Sequence, residues 1–372
     1  MPDSTLTNRA ICPVPSFWAE RALVTHTNSA DANSADTNTA STNNVVPPGE
    51  PSDLGPGAAV LAFDVGGTDM KAALIDMTGA LVEAVRVPTP LDPEHTAQNV
   101  VAEAARLARE FAERHPQIVP AAAGLLVPGE VDDESGIGVF AENLGWHRFP
   151  FRDRLSDVLG IPVSFSHDVR GAGEAEHRLG AAVGFRDVVV MVIGTGIASA
   201  LFVDGKLYSG RGLAGEIGHS KIADGPVCAC GGIGCLEAVA SAGAIARRYN
   251  ALTGHNLPGA REVLERAAAG DAAAQSIWDS ALDALALGLS HTVALLSPEA
   301  IVIGGGLAAA GDRLFVPLRE RLDAILTFHR RPLLIPASIG QNAGLIGAAL
   351  KARDLLPGDP LPGNLLPGDP LP

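Results

Sequence analysis

A cluster of cysteines constrains this chain more than any other feature of its sequence. Cys228, Cys230 and Cys235 form the pattern C-x-C-x4-C, and His219 lies nine residues before the first of them. Three thiolates and one imidazole are a closed tetrahedral ligand set for zinc, with no open position for chemistry. The alternative is three reduced cysteines in a glycine-rich loop. We expect a structural zinc site, with left-handed turns at the intervening glycines, Gly231, Gly232 and Gly234.

The composition limits the class of protein and its compartment. The chain has 372 residues, of which 47% are apolar and 19% charged, so we expect a globular protein of two domains. Its net charge of −15 leaves no basic surplus to neutralise phosphates, which argues against nucleic acid and anionic membranes as partners. No signal-peptide pattern and no membrane-length apolar run occurs. We expect a cytoplasmic protein, where cysteine clusters favour metal over disulfide.

Both ends of the chain differ in composition from the middle. Residues 1–57 are rich in Thr, Asn, Ser and Ala, and they cannot bury enough apolar area to offset chain entropy. Residues 354–372 contain the sequence LLPGDPLP in repeat, and its regularly spaced prolines exclude helix and sheet. The sequence therefore predicts a folded region between two tails.

Two strand–turn–strand patterns predict a repeated architecture. The first places Asp64 at the end of an apolar strand, followed by Gly66, Gly67 and Thr68 in a turn and by Lys71 in the next strand. The second is the apolar run 188–193, the turn Gly194, Thr195 and Gly196, and another strand. Glycine turns allow close approach of a ligand to backbone N–H groups, although an ordinary hairpin is the alternative. The repeat indicates two similar lobes.

Two further strand ends carry candidate residues. Asp168 follows a short strand and opens a helix, at the edge where α/β sheets bind ligands. The alternative is that this aspartate only caps the helix. Gly304, Gly305 and Gly306 follow another apolar strand and precede a helix, an order typical of nucleotide sites.

These motifs resemble those of the ROK family of bacterial sugar kinases and sugar-responsive repressors. The resemblance runs from about Val60 to Arg353. It implies an α/β, two-lobed actin-like ATPase (ribonuclease H-like) fold, with a mixed sheet flanked by helices in each lobe. Residues 58–165 and 336–353 would form the N-terminal lobe, and residues 166–335 the C-terminal lobe with the zinc segment.

The resemblance also implies roles for individual residues. Asp168 would be the catalytic base, and Asp64 would hold magnesium through water. The implied sugar-binding residues are Gly129, Asn143, His167, Asp168, Glu216, His219 and Glu237. The implied ATP-binding residues are Asp64, Gly66, Gly67, Thr68, Lys71, Gly194, Thr195, Gly196, Gly304, Gly305 and Gly306. The implied zinc ligands are His219, Cys228, Cys230 and Cys235.

The implied activity is transfer of the γ-phosphate of ATP to the 6-hydroxyl of a hexose, with Mg2+ as cofactor and a homodimer or homotetramer as the assembly. Glucose is the first expectation, and N-acetylmannosamine, N-acetylglucosamine or another hexose is the alternative. His167 stands where the family usually has asparagine, and a protonated imidazole there would make Asp168 a weaker base. A repressor is the other class, but residues 1–57 show no pair of amphipathic helices for binding DNA.

Overall fold

A computed structural model describes residues 54–357 and one short strand before them. Most of the two predicted tails lies outside the described residues. The strands are β1 (Asn44–Val45), β2 (Val60–Val65), β3 (Asp69–Ile75), β4 (Leu81–Pro88), β5 (Ala122–Val127), β6 (Glu130–Asp132), β7 (Ile137–Ala141), β8 (Trp146–Phe149), β9 (Val163–His167), β10 (Val188–Ile193), β11 (Ile197–Val203), β12 (Lys206–Tyr208), β13 (Ala300–Gly304) and β14 (Leu333–Pro336). The helices are α1 (Thr96–Arg114), α2 (Phe151–Leu159), α3 (Asp168–Leu179), α4 (Leu236–Ala240), α5 (Ala242–Thr253), α6 (Ala260–Ala268), α7 (Ala272–Leu296), α8 (Asp312–Ile325) and α9 (Ala343–Arg353).

Two sheets of the same topology form the two lobes. The first has the order β1-β4-β3-β2-β5-β9, and the second has the order β12-β11-β10-β13-β14. In both, a strand pairs antiparallel with the next strand along the chain on one side and parallel with a later strand on the other. Strands β5, β10 and β13 are almost wholly buried, as expected when helices cover a sheet on both faces. The predicted two-lobed α/β fold is confirmed.

Two helices each pack on the sheet of the opposite lobe. Helix α3 follows the last strand of the first sheet and packs on β10 and β11 of the second, whereas α9 follows the last strand of the second sheet and packs on β2 and β5 of the first. The two helices also contact each other, at Gly171 and Gly347. A Cβ atom on Gly347 would lie 1.9 Å from the carbonyl oxygen of Gly171. Only glycine permits this approach of two backbones.

Buried charged side chains fix the ends of this helix pair. The carboxylate of Glu176 in α3 is almost fully buried and accepts hydrogen bonds from the backbone N–H groups of Ser338 (3.1 Å) and Ile339 (2.8 Å), just before α9. The guanidinium of Arg178 donates two hydrogen bonds to the carboxylate of Asp354, at 3.0 and 2.8 Å. A buried charge is tolerated when it is paired in this way, so these contacts hold α3 and α9 together.

The ordered region differs at its edges from the predicted domain boundaries. Leu54 is fully buried, and the side chain of Arg353 donates to the carbonyl oxygens of Gly55 and Ala58. The folded part therefore begins before residue 58. His167 belongs to strand β9 of the first sheet, so the lobes meet after this residue and not at residue 165.

Two details of the secondary structure were not apparent in the sequence pattern. A separate antiparallel sheet, β6-β7-β8, lies between β5 and α2; its strands are short and carry a weak hydrophobic pattern. The sequence predicts one helix over residues 238–250, but the chain forms α4 and α5, which are separated at Ser241. The hydroxyl of Ser241 accepts a hydrogen bond from the N–H of Ala244 and so caps α5. Among the described residues, no helix has the length and apolarity that a membrane span requires.

We predict that Gly347→Ala destabilises the protein, because its Cβ would meet fixed backbone in α3. Gly288→Ala in α7 is the matched control, since its Cβ would lie 2.9 Å from Cδ2 of Leu236, the end of a flexible side chain. Denaturant unfolding should show a loss of about 2 kcal/mol or more for the first variant. The second should change stability by less than about 1 kcal/mol, since alanine favours helix. Equal effects would contradict the close contact between α3 and α9.

Candidate functional site

Asp168 lies where β9 ends and α3 begins. Its Oδ1 accepts a hydrogen bond from the backbone N–H of Val169 at 2.7 Å. Burial raises the pKa of Asp168 to about 6, and the Val169 N–H and the positive charges of Arg170 and Lys71 oppose this rise. A carboxylate with a pKa near 6 is ionised at neutral pH and can still accept a proton effectively. The side chain therefore has the properties of a general base.

His167 is the N-cap residue of α3. The N–H of Val169 faces both Nδ1 of His167, at 3.2 Å, and Oδ1 of Asp168, at 2.7 Å, and Nδ1 lies 3.2 Å from the same carboxylate oxygen. Burial lowers the pKa of His167 to about 4, and the positive charge of Arg170 adds to the effect. The neutral imidazole is therefore favoured near pH 7, because the free-histidine pKa does not include burial. The protonated state that would make Asp168 a weaker base is disfavoured there.

Asp64 and Lys71 form an ion pair at the end of β2. The Nζ of Lys71 lies 3.4 Å from Oδ2 of Asp64 and donates to the carbonyl oxygen of Gln341 at 2.9 Å. Burial raises the pKa of Asp64, the charge of Lys71 lowers it, and the charge of Asp168 raises it. Asp64, Lys71 and Asp168 therefore lie in one electrostatic environment, although they come from different elements. Asp64 is in β2, Lys71 is in β3 and Asp168 is at the start of α3.

Each glycine turn is closed by a backbone hydrogen bond within the turn. The N–H of Gly66 donates to the carbonyl oxygen of Asp69 at 2.8 Å, and the N–H of Gly194 donates to that of Gly196 at 2.9 Å. These two N–H groups are therefore engaged in their own turns. The threonine at the tip of each turn is exposed.

Glu237 connects the cysteine segment to the second turn. Its Oε2 accepts a hydrogen bond from the N–H of Ile197 at 2.9 Å, and a Cβ atom on Gly196 would lie 2.4 Å from the same oxygen. One carboxylate oxygen of this predicted sugar-binding residue is thus used to fix the turn. The contact places the predicted sugar and phosphate residues next to each other.

The predicted glycine run, residues 304–306, lies beside a cavity in the second lobe. Gly305 has a φ of 80°, and a Cβ on it would lie 2.4 Å from the carbonyl oxygen of Ile193. Gly306 lines a cavity of about 410 Å3 together with Leu264 and Trp278. This volume lies within the usual range of small-molecule sites.

The four predicted zinc ligands lie together. Their ligand atoms are all within 4.8 Å of one another. Cys228 Sγ is 3.6 Å from His219 Nδ1, and Cys230 Sγ is 3.7 Å from Cys235 Sγ. A tetrahedral site with zinc–sulfur bonds of about 2.3 Å has edges of about 3.8 Å, so this donor set fits zinc.

The glycines around the cysteines serve two purposes. Gly231 and Gly234 have positive φ angles, as the sequence predicts. Gly232 does not adopt this conformation. A Cβ there would instead lie 3.0 Å from the sulfur of Cys235 and 3.4 Å from that of Cys230, so a side chain at this position would press on both sulfurs.

The ring of His219 faces two groups at once. Its Nδ1 points to Cys228, while its Nε2 lies 4.0 Å from a carboxylate oxygen of Glu216. Glu216 precedes a 3-10 turn, Ile217–His219, of which His219 is the last residue, and a Cβ on Gly218 in this turn would lie 2.0 Å from the carbonyl oxygen of Ile197. The turn is therefore packed against β11, and a metal at Nδ1 would also orient the ring toward Glu216.

The small sheet β6-β7-β8 carries the other two predicted sugar residues. Gly129 precedes β6 with a φ of 89°, and a Cβ there would lie 2.4 Å from the carbonyl oxygen of Phe140. Asn143 lies in a 3-10 turn, Glu142–Leu144, before β8. The side chain of Asn143 is outside the described part of the structure.

Sequence reasoning missed two residues of this region, Arg170 and Asp133. Arg170 is 2% exposed and donates to the carboxylate of Asp133 at 3.1 Å. An arginine in the first turn of an amphipathic helix is usually solvated, and Asp133 lies in a turn of ordinary composition. No local pattern indicates their pairing, since 37 residues separate them.

Comparison with known proteins agrees with the fold and the grouping of these motifs. The model of the ROK family matches residues 60–354. The chain belongs to the ROK family. Among curated relatives, it is 32% identical to the glucokinase of Thermotoga maritima over 314 residues, which are 79% of this chain and 97% of that one. It is also 32% identical to the N-acetylmannosamine kinase of Salmonella typhi over 302 residues, 79% of this chain and 98% of that one.

A solved structure of the same family is similar throughout the two lobes. The ROK family glucokinase from Streptomyces griseus, crystallised with glucose and AMPPNP, superposes with a TM-score of 0.67 at 29% identity. The alignment covers 80% of this chain and 100% of that chain. This ROK family chain thus has kinase relatives that it matches over nearly their whole length.

We predict that His167 stays neutral from pH 8 down to about pH 5. The reason is burial, which lowers its pKa to about 4. Proton–nitrogen NMR of the imidazoles should show a histidine signal that does not titrate over this range and that disappears in His167→Asn. Titration of this signal near pH 6.5, the value for a free histidine, would refute the assignment.

Proposed function

We propose that this protein is an ATP-dependent hexose kinase that transfers the γ-phosphate of ATP to the 6-hydroxyl of a hexose, with glucose as the preferred sugar. The observation that carries the proposal is Asp168, a partly buried carboxylate at the junction of β9 and α3 with a pKa raised to about 6, beside the Asp64–Lys71 pair. This is the combination that a base and a phosphate site require. The glucokinase relatives support the choice of glucose.

The chemical step needs a base and a site for negative charge. In this proposal, Asp168 accepts the proton of the sugar's 6-hydroxyl while that oxygen forms a bond to the γ-phosphorus. The bond between the γ-phosphorus and the bridging oxygen breaks, and ADP leaves with the bonding electrons. Lys71 and the two threonine-tipped turns would hold the phosphates. Asp64 would hold Mg2+, which neutralises phosphate charge when bound.

The sugar would lie between Asp168 and the segment that carries Glu216 and His219. Its other proposed contacts are Gly129, Asn143, His167 and Glu237. Neutral His167 would offer its Nε2 to the sugar, since its Nδ1 faces the Val169 N–H and Asp168. The adenosine would occupy the cavity beside Gly306.

We also propose that His219, Cys228, Cys230 and Cys235 bind a structural zinc ion. The distances between the ligand atoms support this. The zinc would stabilise a loop with little apolar core of its own and fix the orientation of His219. Assembly into a homodimer or homotetramer stays a prediction.

Two classes of hexose fit the family relatives of this chain. The N-acetylmannosamine kinase relative is as similar as the glucokinase by identity, so an N-acetylhexosamine is the alternative substrate. A coupled assay of ADP release with glucose, mannose, N-acetylmannosamine and N-acetylglucosamine separates these choices. Sugar binding without ADP release from any of them would instead favour a sugar-responsive regulator.

Asp168→Asn should abolish most of the activity and leave sugar binding largely intact. The amide keeps the size and one acceptor oxygen but cannot take the proton, so kcat should fall at least about a hundredfold. In the wild type, kcat/KM for the sugar should fall below about pH 6, because Asp168 becomes protonated there. Near-normal activity of the variant would show that the aspartate is not the base.

Cys230→Ser should lower both the metal content and the thermal stability of the protein. Metal analysis of the wild type should find about one zinc per chain, because the four ligands form one closed site. Cys12→Ser, which changes the cysteine outside the cluster, should affect neither quantity. A metal-free wild-type protein with full activity would exclude the zinc site.

A further inference from the structure

Arg170 is a buried charge that the proposed mechanism does not use. It lies in the first turn of α3, two residues after Asp168, and its side chain is 2% exposed. Its Nε has no hydrogen-bond partner among the described residues. A guanidinium is costly to bury, so the position calls for a physical explanation.

The guanidinium joins three elements that carry proposed sugar contacts. One nitrogen donates to Oδ1 of Asp133, in the turn between β6 and β7, at 3.1 Å. Another donates to the carbonyl oxygen of Gly212 at 3.2 Å. Gly212 ends a 3-10 turn that packs on β6 and leads directly to the segment with Glu216. The third element is α3 itself, with the proposed base.

Asp133 completes the arrangement from the other side. Its Oδ2 accepts a hydrogen bond from the hydroxyl of Ser166 at 3.2 Å, and Ser166 is fully buried in β9. The single carboxylate therefore bridges β9 and α3, on either side of the His167–Asp168 pair. A planar guanidinium with several donors suits such a junction, whereas the ammonium of lysine does not form the same fork.

The charge of Arg170 also acts on both neighbouring titratable groups. It lowers the pKa of Asp168 and the pKa of His167. Lys71 from β3 also lowers the pKa of Asp168, Asp64 of β2 interacts with it electrostatically, and Nδ1 of His167 lies 3.2 Å from its Oδ1. The negative charges of Glu216 and Asp133 oppose the effect of Arg170 on His167. With Arg170 present, the ionised carboxylate and the neutral imidazole are both favoured, which is the pair of states that the proposed chemistry needs.

We propose that Arg170 is a positioning residue that joins the small sheet, the Glu216 segment and helix α3 around the sugar and keeps the His167–Asp168 pair in its productive charge state. The inference rests on the proposed kinase function. Loss of Arg170 should change both sugar binding and the titration of Asp168, and both changes can be measured without catalysis.

Two substitutions separate the fork of Arg170, meaning its two hydrogen bonds to Asp133 and Gly212, from its charge. Arg170→Lys keeps the charge and loses the fork, so the Kd and KM of the hexose should rise about tenfold. The acid limb of the pH profile of kcat/KM should stay in place. Arg170→Met loses both, so the same rise should come with a shift of the acid limb to higher pH, by about half a unit or more. The sign follows because a lost cation raises the pKa of Asp168.

Arg178→Met is the matched control. Arg178 is also buried in α3 and paired with a carboxylate, but its partner is Asp354 at the far end of the helix. This variant should lose stability without changing the sugar Kd or the acid limb. Calorimetry with the four sugars measures the sugar Kd, and carbon NMR of the Asp168 carboxyl measures its titration. Both measurements test the role of Arg170 even if the wild type proves to have no kinase activity.

The two roles of Arg170, through its fork and through its charge, can each be overturned separately. An unchanged sugar Kd in Arg170→Lys would overturn the role of the fork, and an unmoved Asp168 titration in folded Arg170→Met would overturn the role of the charge. If Arg170→Met does not fold, the lysine variant still decides, since it must weaken sugar binding at an unchanged acid limb. Equal effects in the Arg178→Met control would reduce Arg170 to a stabilising residue.

Discussion

The close contact between α3 and α9 determines how the site is assembled. At Gly171 and Gly347 the two helices touch through their backbones, and each helix packs on the sheet of the opposite lobe. Asp168 is the first residue of α3, and the first turn of α9 abuts the carboxylate of Asp64, where a Cβ on Gly344 would lie 2.4 Å from Oδ2. The crossing thus brings Asp168, at the start of α3, and Asp64 of β2, which lies against the start of α9, into the same region.

Burial in that region changes the chemistry of ordinary side chains. Asp168 has a raised pKa and His167 a lowered one, and in both cases loss of solvent is the largest cause. The same low-polarity surroundings require that Arg170 be paired, and its partner Asp133 comes from a small sheet that packs near β9. The proposed base and its charged neighbours therefore depend on one another for their protonation states.

In the proposed zinc site, the cysteine segment would contribute rigidity rather than chemistry. Nδ1 of His219 faces Cys228 and its Nε2 faces Glu216, while Glu237 at the end of the segment fixes the turn at Ile197. A loop that contains several glycines loses much entropy on ordering, and a bound metal would offset that loss. Three proposed sugar contacts would then depend on the four proposed zinc ligands for their geometry.

The sequence by itself determined the local features, because they depend on spacing along the chain. The Cys3His set, the two glycine turns and the repeated strand pattern were all predicted, and the two-lobed fold followed from them and from the family resemblance. Only the tertiary structure decided what depends on contacts between distant segments. It showed that burial lowers the pKa of His167, that the N–H of Gly66 is engaged in its turn, that two sulfurs lie close to Gly232, and that Arg170 pairs with Asp133. Burial and long-range pairing arise from packing, which residue spacing does not encode.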